Sequence, residues 1–369
     1  MHVTSRRLFA RKLGVGVGAA LVARPGLSSP VPRDRGPIRL SSNENPYGPS
    51  AAAREAMTQS QDLAALYPFQ VRDELARLIA EHHGFDTGNI ALGCGSTEIL
   101  RLAAMAFLDE GRELVVAEPT FEAVLRYAQI PAARPVKVPL TADYRHDLEA
   151  MAARCSASTG LVYVCNPNNP TGTIVRRAEL LRFIEAVPDT VPILIDEAYH
   201  DFVEDPEYPR ATEWIRSHPN VVVARTFSKI HGLAGMRLGF ALASPSRIAS
   251  MKRHLVSGSA NVAVLEAARA SLVDEAHVAD QARRNNETRR FVVEELEKDG
   301  LEVMDSHTSF VMVRVGNPGG VRAAMKQRGI LVGRDFPPYS EWLRVSIGTP
   351  SQMETFMAAL REWRGREAA

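Results

Sequence analysis

The fourteen residues Thr226–Gly239, TFSKIHGLAGMRLG, combine an amine, a hydroxyl and a fixed cation within one short segment. Lys229 follows Ser228 directly and precedes Arg237 by eight residues, with glycines between them. A hydroxyl and a guanidinium bind phosphate well, and an amine can form a Schiff base with an aldehyde. The segment therefore predicts a site for a phosphorylated aldehyde cofactor, pyridoxal phosphate (PLP), carried by Lys229.

Further polar turns follow apolar runs that are typical of buried strands. Asn166–Gly172 (NPNNPTG) comes after GLVYVC, and Asp196–Tyr199 (DEAY) comes after VPILI. In open α/β sheets, ligands bind beyond the carboxyl ends of the strands. A third turn, formed by Gly95, Ser96 and Thr97, joins NIALGC to a helical pattern, where backbone N–H groups and the helix dipole favour an anion. These turns are predicted to lie at the ligand-binding edge of a sheet.

The ordered set Ser-Lys-x-x-Gly-Leu-Ala-Gly-x-Arg-x-Gly resembles the lysine motif of the fold-type I, class I and II aminotransferases. NPNNPTG and DEAY occur in the chain order of that family, and Ser42–Ser50 (SNENPYGPS) resembles the opening of its histidinol-phosphate aminotransferase-like subgroup. The similarity runs from about Leu40 to the C-terminus. It implies transfer of an amino group from an amino acid, or from histidinol phosphate, to a 2-oxo acid through a Schiff base on Lys229.

The resemblance also implies the cofactor contacts. Asp196 would pair with the protonated pyridine nitrogen of PLP, Asn169 and Tyr199 would bind its ring oxygen, and Phe121 would stack on its ring. A buried carboxylate stabilises such a cation, and the protonated nitrogen makes PLP an electron sink. Lys229 is implied as the general base. The implied phosphate contacts are Gly95, Ser96, Thr97, Thr226, Ser228 and Arg237, together with Tyr67, which would reach the phosphate of a partner subunit in a homodimer with shared sites.

Three residues are expected on the substrate side. Arg344, in LRVSIG, lies in a segment that resembles the family's carboxylate-binding strand, where the planar fork of arginine fixes orientation. Arg334 lies where the histidinol-phosphate enzymes keep a phosphate-binding arginine, but the following Phe336–Tyr339 (FPPY) is apolar and suits an aromatic or aliphatic substrate. Asn45 is expected to line the substrate mouth.

Charge and spacing argue against several other kinds of site. The formal net charge is +1, but residues 1–35 contribute +6, which leaves the rest of the chain at −5. A mildly acidic body without a basic stripe argues against nucleic acid as a partner. Neither C-x-x-C nor H-E-x-x-H occurs, so no metal site is predicted.

The N-terminus, over residues 1–29, is predicted to be an export signal. Ser5–Arg11 (SRRLFAR) resembles a twin-arginine signal and is followed by the apolar stretch Leu13–Ala23. That stretch is shorter than the ~20 residues that a membrane-spanning helix needs. The expectation is a periplasmic or exported protein with no stable membrane association once the leader is removed. The alternative is a basic tail on a cytoplasmic enzyme.

The body of the chain predicts an α/β fold. Near-continuous Val/Ile/Leu runs alternate with helical patterns, which indicates a mostly parallel sheet between helices. The predicted organisation is a linker and N-terminal arm at 30–50, a large PLP-binding domain at 51–260 and a smaller C-terminal α/β domain at 261–369. In the last of these, long helices are predicted over Glu275–Leu296 and from Pro350 to about Trp363.

Two other functions stay open on the residues alone. PLP-dependent decarboxylases and other lyases of the same fold share these motifs, because the bond that breaks depends on which Cα substituent lies perpendicular to the ring. A non-catalytic PLP-binding protein is the third possibility. It is disfavoured because Lys229, Asp196 and Arg344 are all retained and no DNA-binding domain is appended.

Overall fold

A computed structural model of the chain describes residues 36–367, so the predicted export signal and the first residues of the predicted linker lie outside it. The helices are α1 (Ala51–Gln59), α2 (Phe69–His83), α3 (Ser96–Phe107), α4 (Ala123–Ala128), α5 (Leu148–Ala153), α6 (Arg177–Ala186), α7 (Pro245–Lys252), α8 (Val262–Leu272), α9 (Glu275–Lys298), α10 (Pro318–Gln327) and α11 (Pro350–Glu367). The strands are β1 (Ile38–Leu40), β2 (Ile90–Gly93), β3 (Glu113–Glu118), β4 (Arg134–Pro139), β5 (Thr159–Cys165), β6 (Ile193–Asp196), β7 (Val221–Thr226), β8 (Gly239–Ala243), β9 (Phe310–Arg314), β10 (Ile330–Val332) and β11 (Trp342–Ser346).

Seven strands form one sheet in the order β2-β8-β7-β6-β5-β3-β4. From β4 to β7 the neighbouring strands are parallel, whereas β8 is antiparallel to both β2 and β7. β5, β6 and β7 are buried along their whole length, as parallel strands covered on both faces should be. The predicted mostly parallel sheet is therefore confirmed. β8 (GFALA) was not predicted, because its glycine and alanines have weak strand propensity and its neighbours hold it in place.

The register of this sheet brings the polar turns to one edge. Cys165 at the end of β5 pairs with Asp196 at the end of β6. Gly239, the first residue of β8, pairs with both Thr226 at the end of β7 and Gly93 at the end of β2. The segments that follow β2, β5, β6 and β7 therefore emerge side by side.

The C-terminal part of the chain builds a second apolar core around two short sheets. β9 and β11 pair antiparallel, and β10 pairs parallel with β1, the first strand of the described chain. Leu40 of β1 is buried in the same cluster as Val292 of α9, Leu343 of β11 and Phe356 of α11. The two predicted long helices are present. The pairing of β1 also brings the residues after Leu40 next to β11.

The boundary predicted between residues 260 and 261 stays a prediction. The described residues from Pro37 onward form one compact unit. Val264 and Leu265 of α8, which lie beyond that boundary, pack in the same apolar cluster as the large sheet. No helix within residues 36–367 is both long and apolar enough to cross a membrane.

Candidate active site

A cavity of about 370 Å³ opens where the polar turns emerge from the large sheet. This volume lies within the range of roughly 300–1,000 Å³ that is usual for cofactor and ligand sites. The predicted site residues that line it are Ser96, Thr97, Phe121, Asn169, Asp196, Tyr199, Thr226, Ser228, Lys229, Arg237, Arg334 and Arg344. Side chains from distant parts of the sequence thus meet around one space.

The end of the cavity beside α3 has the composition of a phosphate site. α3 begins at Ser96, and its N-cap Gly95 has a φ of 78°. A Cβ at Gly95 would overlap the Arg237 guanidinium, so the absence of a side chain allows this close approach. The N-terminus of α3 and the Arg237 guanidinium consequently lie against each other, and both favour an anion.

Arg237 is held by neutral groups in this part of the chain. Its Nη1 donates to Ser228 Oγ at 3.3 Å and to the Ala234 carbonyl at 2.9 Å. The Ser228 N–H donates to Thr226 Oγ1 at 3.1 Å. Within residues 36–367, no carboxylate forms an ion pair with Arg237. The guanidinium is therefore available to an anionic group of a ligand.

The amine of Lys229 lies between the N-terminal arm and an aromatic ring. Its Nζ donates to the Asn43 carbonyl at 3.2 Å and lies 5.4 Å from the centre of the Tyr199 ring. Burial, with Arg344 and Arg237 close by, lowers the pKa of Lys229 from 10.5 to about 8. A substantial fraction of the amine is thus neutral, and so nucleophilic, near pH 8.

Asp196 is a buried carboxylate with few stabilising partners. Its oxygens accept hydrogen bonds from Tyr163 Oη at 3.0 Å and from the Ala198 N–H at 3.2 Å. Burial nevertheless raises its pKa from 3.8 to about 6. A cation placed against this carboxylate would favour its charged form. Tyr163 was not predicted as a site residue, although it is the one hydroxyl-bearing side chain within the apolar run GLVYVC.

The carboxylate next to Asp196 has a different environment. Glu197 forms a buried ion pair with Arg225 at 2.7 Å and accepts the Ala211 N–H at 2.8 Å. Asp196 and Glu197 therefore do not act as one paired site. Within residues 36–367, no group of three or more His, Cys, Asp or Glu side chains could hold a metal ion.

Arg344, a residue of β11, is buried and lines the cavity. Its Nη1 donates to Asn169 Oδ1 at 2.6 Å, and its Nη2 donates to the Ser41 carbonyl at 2.8 Å. Its Cζ lies 5.4 Å from the ring centre of Phe310 and 4.7 Å from that of Phe336. Burial lowers the pKa of Arg344 to about 10, so it stays charged at neutral pH. Its buried Nε has no hydrogen-bond partner in the described chain, which leaves a donor for an anionic ligand.

The asparagine of the N-terminal arm that lines the cavity is Asn43. Its Nδ2 donates to Tyr199 Oη at 2.9 Å, and its Oδ1 accepts from Ser346 Oγ at 2.9 Å. It links the arm, the turn after β6 and the end of β11. Burial raises the pKa of Tyr199 above its ordinary value, so the phenol stays protonated as a donor.

The structure places Asn45, which was expected at the substrate mouth, outside this cavity. Its Nδ2 donates to the Ile230 carbonyl at 2.9 Å, and its Oδ1 accepts the Tyr47 N–H at 2.9 Å. Its expected place at the substrate mouth stays a prediction. Asn45 instead holds the segment that carries Lys229.

The FPPY segment divides between the cavity and a neighbouring aromatic cluster. Phe336 lines the cavity, whereas the Tyr339 ring packs edge-on against Tyr144 at a centroid distance of 5.5 Å. Three charged residues that were not predicted, Glu44, Glu122 and Arg126, also line the cavity. For Glu122 and Arg126, the signal that could have revealed them is their helical spacing after Phe121.

Tyr67 does not line this cavity. It is 84% exposed and its ring stacks on that of Phe69 at a centroid distance of 5.6 Å. Its expected contact with a partner subunit stays a prediction.

Comparison with known proteins gives a consistent result. The family model described as aminotransferase class I and II matches residues 35–360. The chain is 41% identical to the histidinol-phosphate aminotransferase of Moorella thermoacetica over 328 residues, which are 88% of this chain and 85% of that protein. It is 38% identical to the aromatic amino acid aminotransferase of Rhodococcus jostii over 340 residues, 90% of this chain and 92% of that one.

Comparison with solved structures supports the same family. The crystal structure of histidinol-phosphate aminotransferase from Sinorhizobium meliloti in complex with pyridoxal-5'-phosphate superimposes with a TM-score of 0.83 at 28% identity, covering 90% of this chain and 91% of that one. This confirms the predicted fold-type I architecture. Because the family model matches most of its length, this chain belongs to the class I and II aminotransferases.

Proposed function

We propose that Lys229, Asp196 and Arg344 carry the PLP-dependent transamination of this family in the present chain. The reaction moves an amino group from an amino acid to a 2-oxo acid. The observation that supports these roles best is the buried Arg344 guanidinium, which lines the same cavity as the Lys229 amine and whose Nε has no hydrogen-bond partner among residues 36–367. A buried cation without a carboxylate partner is costly unless a ligand supplies the negative charge.

The residues of the cavity fit PLP at both of its ends. When bound, PLP supplies an aldehyde that condenses with amines and a protonated ring that withdraws electrons from a substrate Cα. Ser96, Ser228 and Arg237 would hold its phosphate, because Arg237 has no carboxylate partner in the described chain and lies against the N-terminus of α3. The Asp196 carboxylate would hold the charged ring nitrogen.

The chain's own residues can move the proton. With a pKa of about 8, Lys229 Nζ can accept a proton from the substrate Cα and release it again near neutral pH. The Asn43 carbonyl, 3.2 Å from Nζ, would direct the amine. Tyr199 Oη and the Asn169 side chain, both held by neighbouring groups, would donate hydrogen bonds to the oxygen on the cofactor ring.

We expect Arg344→Ala to raise KM for amino-acid donors and to depress kcat/KM. The loss should be on the order of 2–5 kcal/mol, because the substrate carboxylate loses a buried, charged partner. Arg344→Lys is the matched control. It keeps the positive charge but loses the planar, bidentate geometry of the guanidinium, so it should recover only part of the lost kcat/KM. Steady-state kinetics with one amino donor and 2-oxoglutarate measure KM and kcat/KM for both variants. An unchanged kcat/KM in Arg344→Ala would remove Arg344 from the substrate site.

We propose that the preferred donor is an aromatic or aliphatic amino acid rather than histidinol phosphate. Buried Phe336 gives the cavity an apolar surface beside Arg344, whose Cζ lies 4.7 Å from the centre of its ring. Incubating the PLP-loaded protein with single donors should give pyridoxamine phosphate and the matching oxo acid. Release of carbon dioxide instead would support a decarboxylase, and no change of the cofactor spectrum with any donor would support a non-catalytic PLP-binding protein.

A homodimer with shared sites is part of the proposal. Leu66, Tyr67 and Phe69 are large apolar side chains that are exposed in the single chain. Contiguous exposed apolar side chains are typical of interaction surfaces. Light scattering should give about twice the 40.4 kDa of one chain. A monomer that is fully active would contradict it.

Export is also proposed, on the basis of the twin-arginine-like segment alone. Arg6 and Arg7 lie outside the described residues. Fractionation of cells that express the whole chain should place it in the exported fraction, and the Arg6→Lys, Arg7→Lys double variant should keep it inside. If the unmutated protein and the double variant divide equally between the two fractions, the N-terminus is better explained as a basic tail on a cytoplasmic enzyme than as an export signal.

A further inference from the structure

A solvated ion pair forms part of the lining of the active-site cavity. Arg334 Nη2 and Glu122 Oε2 are 2.8 Å apart, and both residues line the cavity. Glu122 directly precedes α4, and Arg334 follows β10. The two side chains are 56% and 46% exposed, so water competes for both charges and the pair opens at little cost.

The guanidinium groups of Arg334 and Arg344 both lie close to the Phe336 ring. The Cζ of Arg334 lies 4.3 Å from the centre of the Phe336 ring, and the Cζ of Arg344 lies 4.7 Å from it. A substrate whose α-carboxylate meets Arg344 can therefore lay an uncharged side chain on Phe336. A substrate with a second anionic group at its far end can reach Arg334, provided that Glu122 releases it.

Glu122 has a second cation within reach. Arg126 lies one helical turn further on α4, and its backbone N–H donates to the Glu122 carbonyl at 3.1 Å. Arg126 lines the same cavity and has no ion-pair partner in the described chain. A glutamate four residues before an arginine on a helix can pair with it. Glu122 can therefore leave Arg334 without losing a cationic partner.

We propose that Glu122 is a specificity-determining residue that exchanges Arg334 for Arg126 when a substrate with an anionic far end enters. With an uncharged side chain in the cavity, Glu122 stays on Arg334 and neutralises it. With a dicarboxylate or a phosphate ester, Arg334 is released to bind the second anion. One cavity thus accepts both partners of a transamination. This inference rests on the proposed function.

The test is the Glu122→Gln variant of the PLP-loaded protein. It removes the charge that competes for Arg334 and keeps the shape. The ratio of kcat/KM for glutamate over kcat/KM for phenylalanine, each measured as a single half-reaction, should rise about three- to tenfold. Calorimetric binding of glutarate, an unreactive dicarboxylate, should tighten by a similar factor. Histidinol phosphate as a third donor separates a phosphate at the far end from a carboxylate there.

Glu118→Gln is the matched control. Glu118 forms a similarly exposed pair with Lys137 at 2.6 Å and is four residues from Glu122, but it does not line the cavity. It should change neither the ratio nor glutarate binding. An equal change in both variants would reveal a general charge effect and overturn the proposal, as would an unchanged ratio in Glu122→Gln.

Arg126→Gln tests the exchange itself. Without a second partner, Glu122 should stay on Arg334, and the glutamate preference should fall about two- to threefold. In the Glu122→Gln background, Arg126→Gln should have no further effect, because Arg126 acts through Glu122. Additive effects of the two changes would overturn the exchange. If transamination itself fails, neither donor reacts, whereas glutarate binding still reports on Glu122.

Discussion

Lys229→Ala is expected to abolish the covalent attachment of PLP and to lower turnover by at least about three orders of magnitude. The variant loses both the amine that bonds the cofactor and the base that moves the proton. The wild-type protein should show a visible cofactor absorbance that borohydride converts into a permanent adduct, and the variant should show none. Lys137→Ala, which changes a surface lysine paired with Glu118, is the control and should keep both properties. A reducible adduct that persists in Lys229→Ala would assign the attachment to another lysine.

The pH dependence of PLP uptake gives a second measure of the same residue. Only the neutral amine attacks an aldehyde, and the pKa of Lys229 in the cofactor-free protein is lowered to about 8 by burial and by its arginine neighbours. The rate of PLP incorporation should therefore rise with pH and level off above about 8. A rate that keeps rising to above about pH 10 would mean that the amine behaves as an ordinary exposed lysine.

Asp196→Asn is expected to lower turnover by on the order of 10²-fold or more, because the ring nitrogen loses the carboxylate that keeps it charged. The cofactor should still bind, since the phosphate contacts are separate. Chelators should not affect the activity of the unmutated protein. Activity that a chelator removes would show that Asp196 serves a metal instead.

The stability of the cofactor-free protein separates this role from a structural one. The folded-state pKa of Asp196 is raised from 3.8 to about 6, so the ionised carboxylate costs stability above about pH 6, and this cost disappears below about pH 4. At pH 8, Asp196→Asn without PLP should therefore melt no lower than the wild type. Adding PLP should stabilise the wild type more than the variant. A strong loss of stability without PLP would indicate a structural role.

Asp201→Asn is the control for Asp196→Asn. Burial raises the pKa of Asp201 to about 6 as well, but Asp201 does not line the active-site cavity. Its loss should leave turnover nearly unchanged. A comparable loss of turnover in both variants would mean that any carboxyl with a raised pKa in this region affects activity.

The sequence by itself determined the fold class and the side of the cavity formed by the large sheet. Lys229, Asn169 and Ser96 each belong to a segment that follows an apolar strand pattern, and Asp196 and Thr226 are the last residues of β6 and β7. Parallel strands bring such turns to one edge, so local patterns are enough to predict that they meet. The family resemblance then supplied their roles.

Only the tertiary structure decided the opposite side of the cavity. Arg344 is held by Ser41 and Asn169, which are far from it along the chain. Ser41 directly follows β1, which pairs with β10. No local pattern predicts that pairing between two three-residue strands. Asn43, rather than Asn45, lines the cavity and contacts Tyr199 and Ser346, which sequence spacing does not reveal.

The ion pair of Glu122 with Arg334 has the same origin. Its partners are more than two hundred positions apart and lie in segments that share no sequence pattern. Patterns along a chain predict contacts between neighbours in sequence and within a regular element. Contacts between elements depend on packing and on backbone direction, and these appear only when the whole chain has folded.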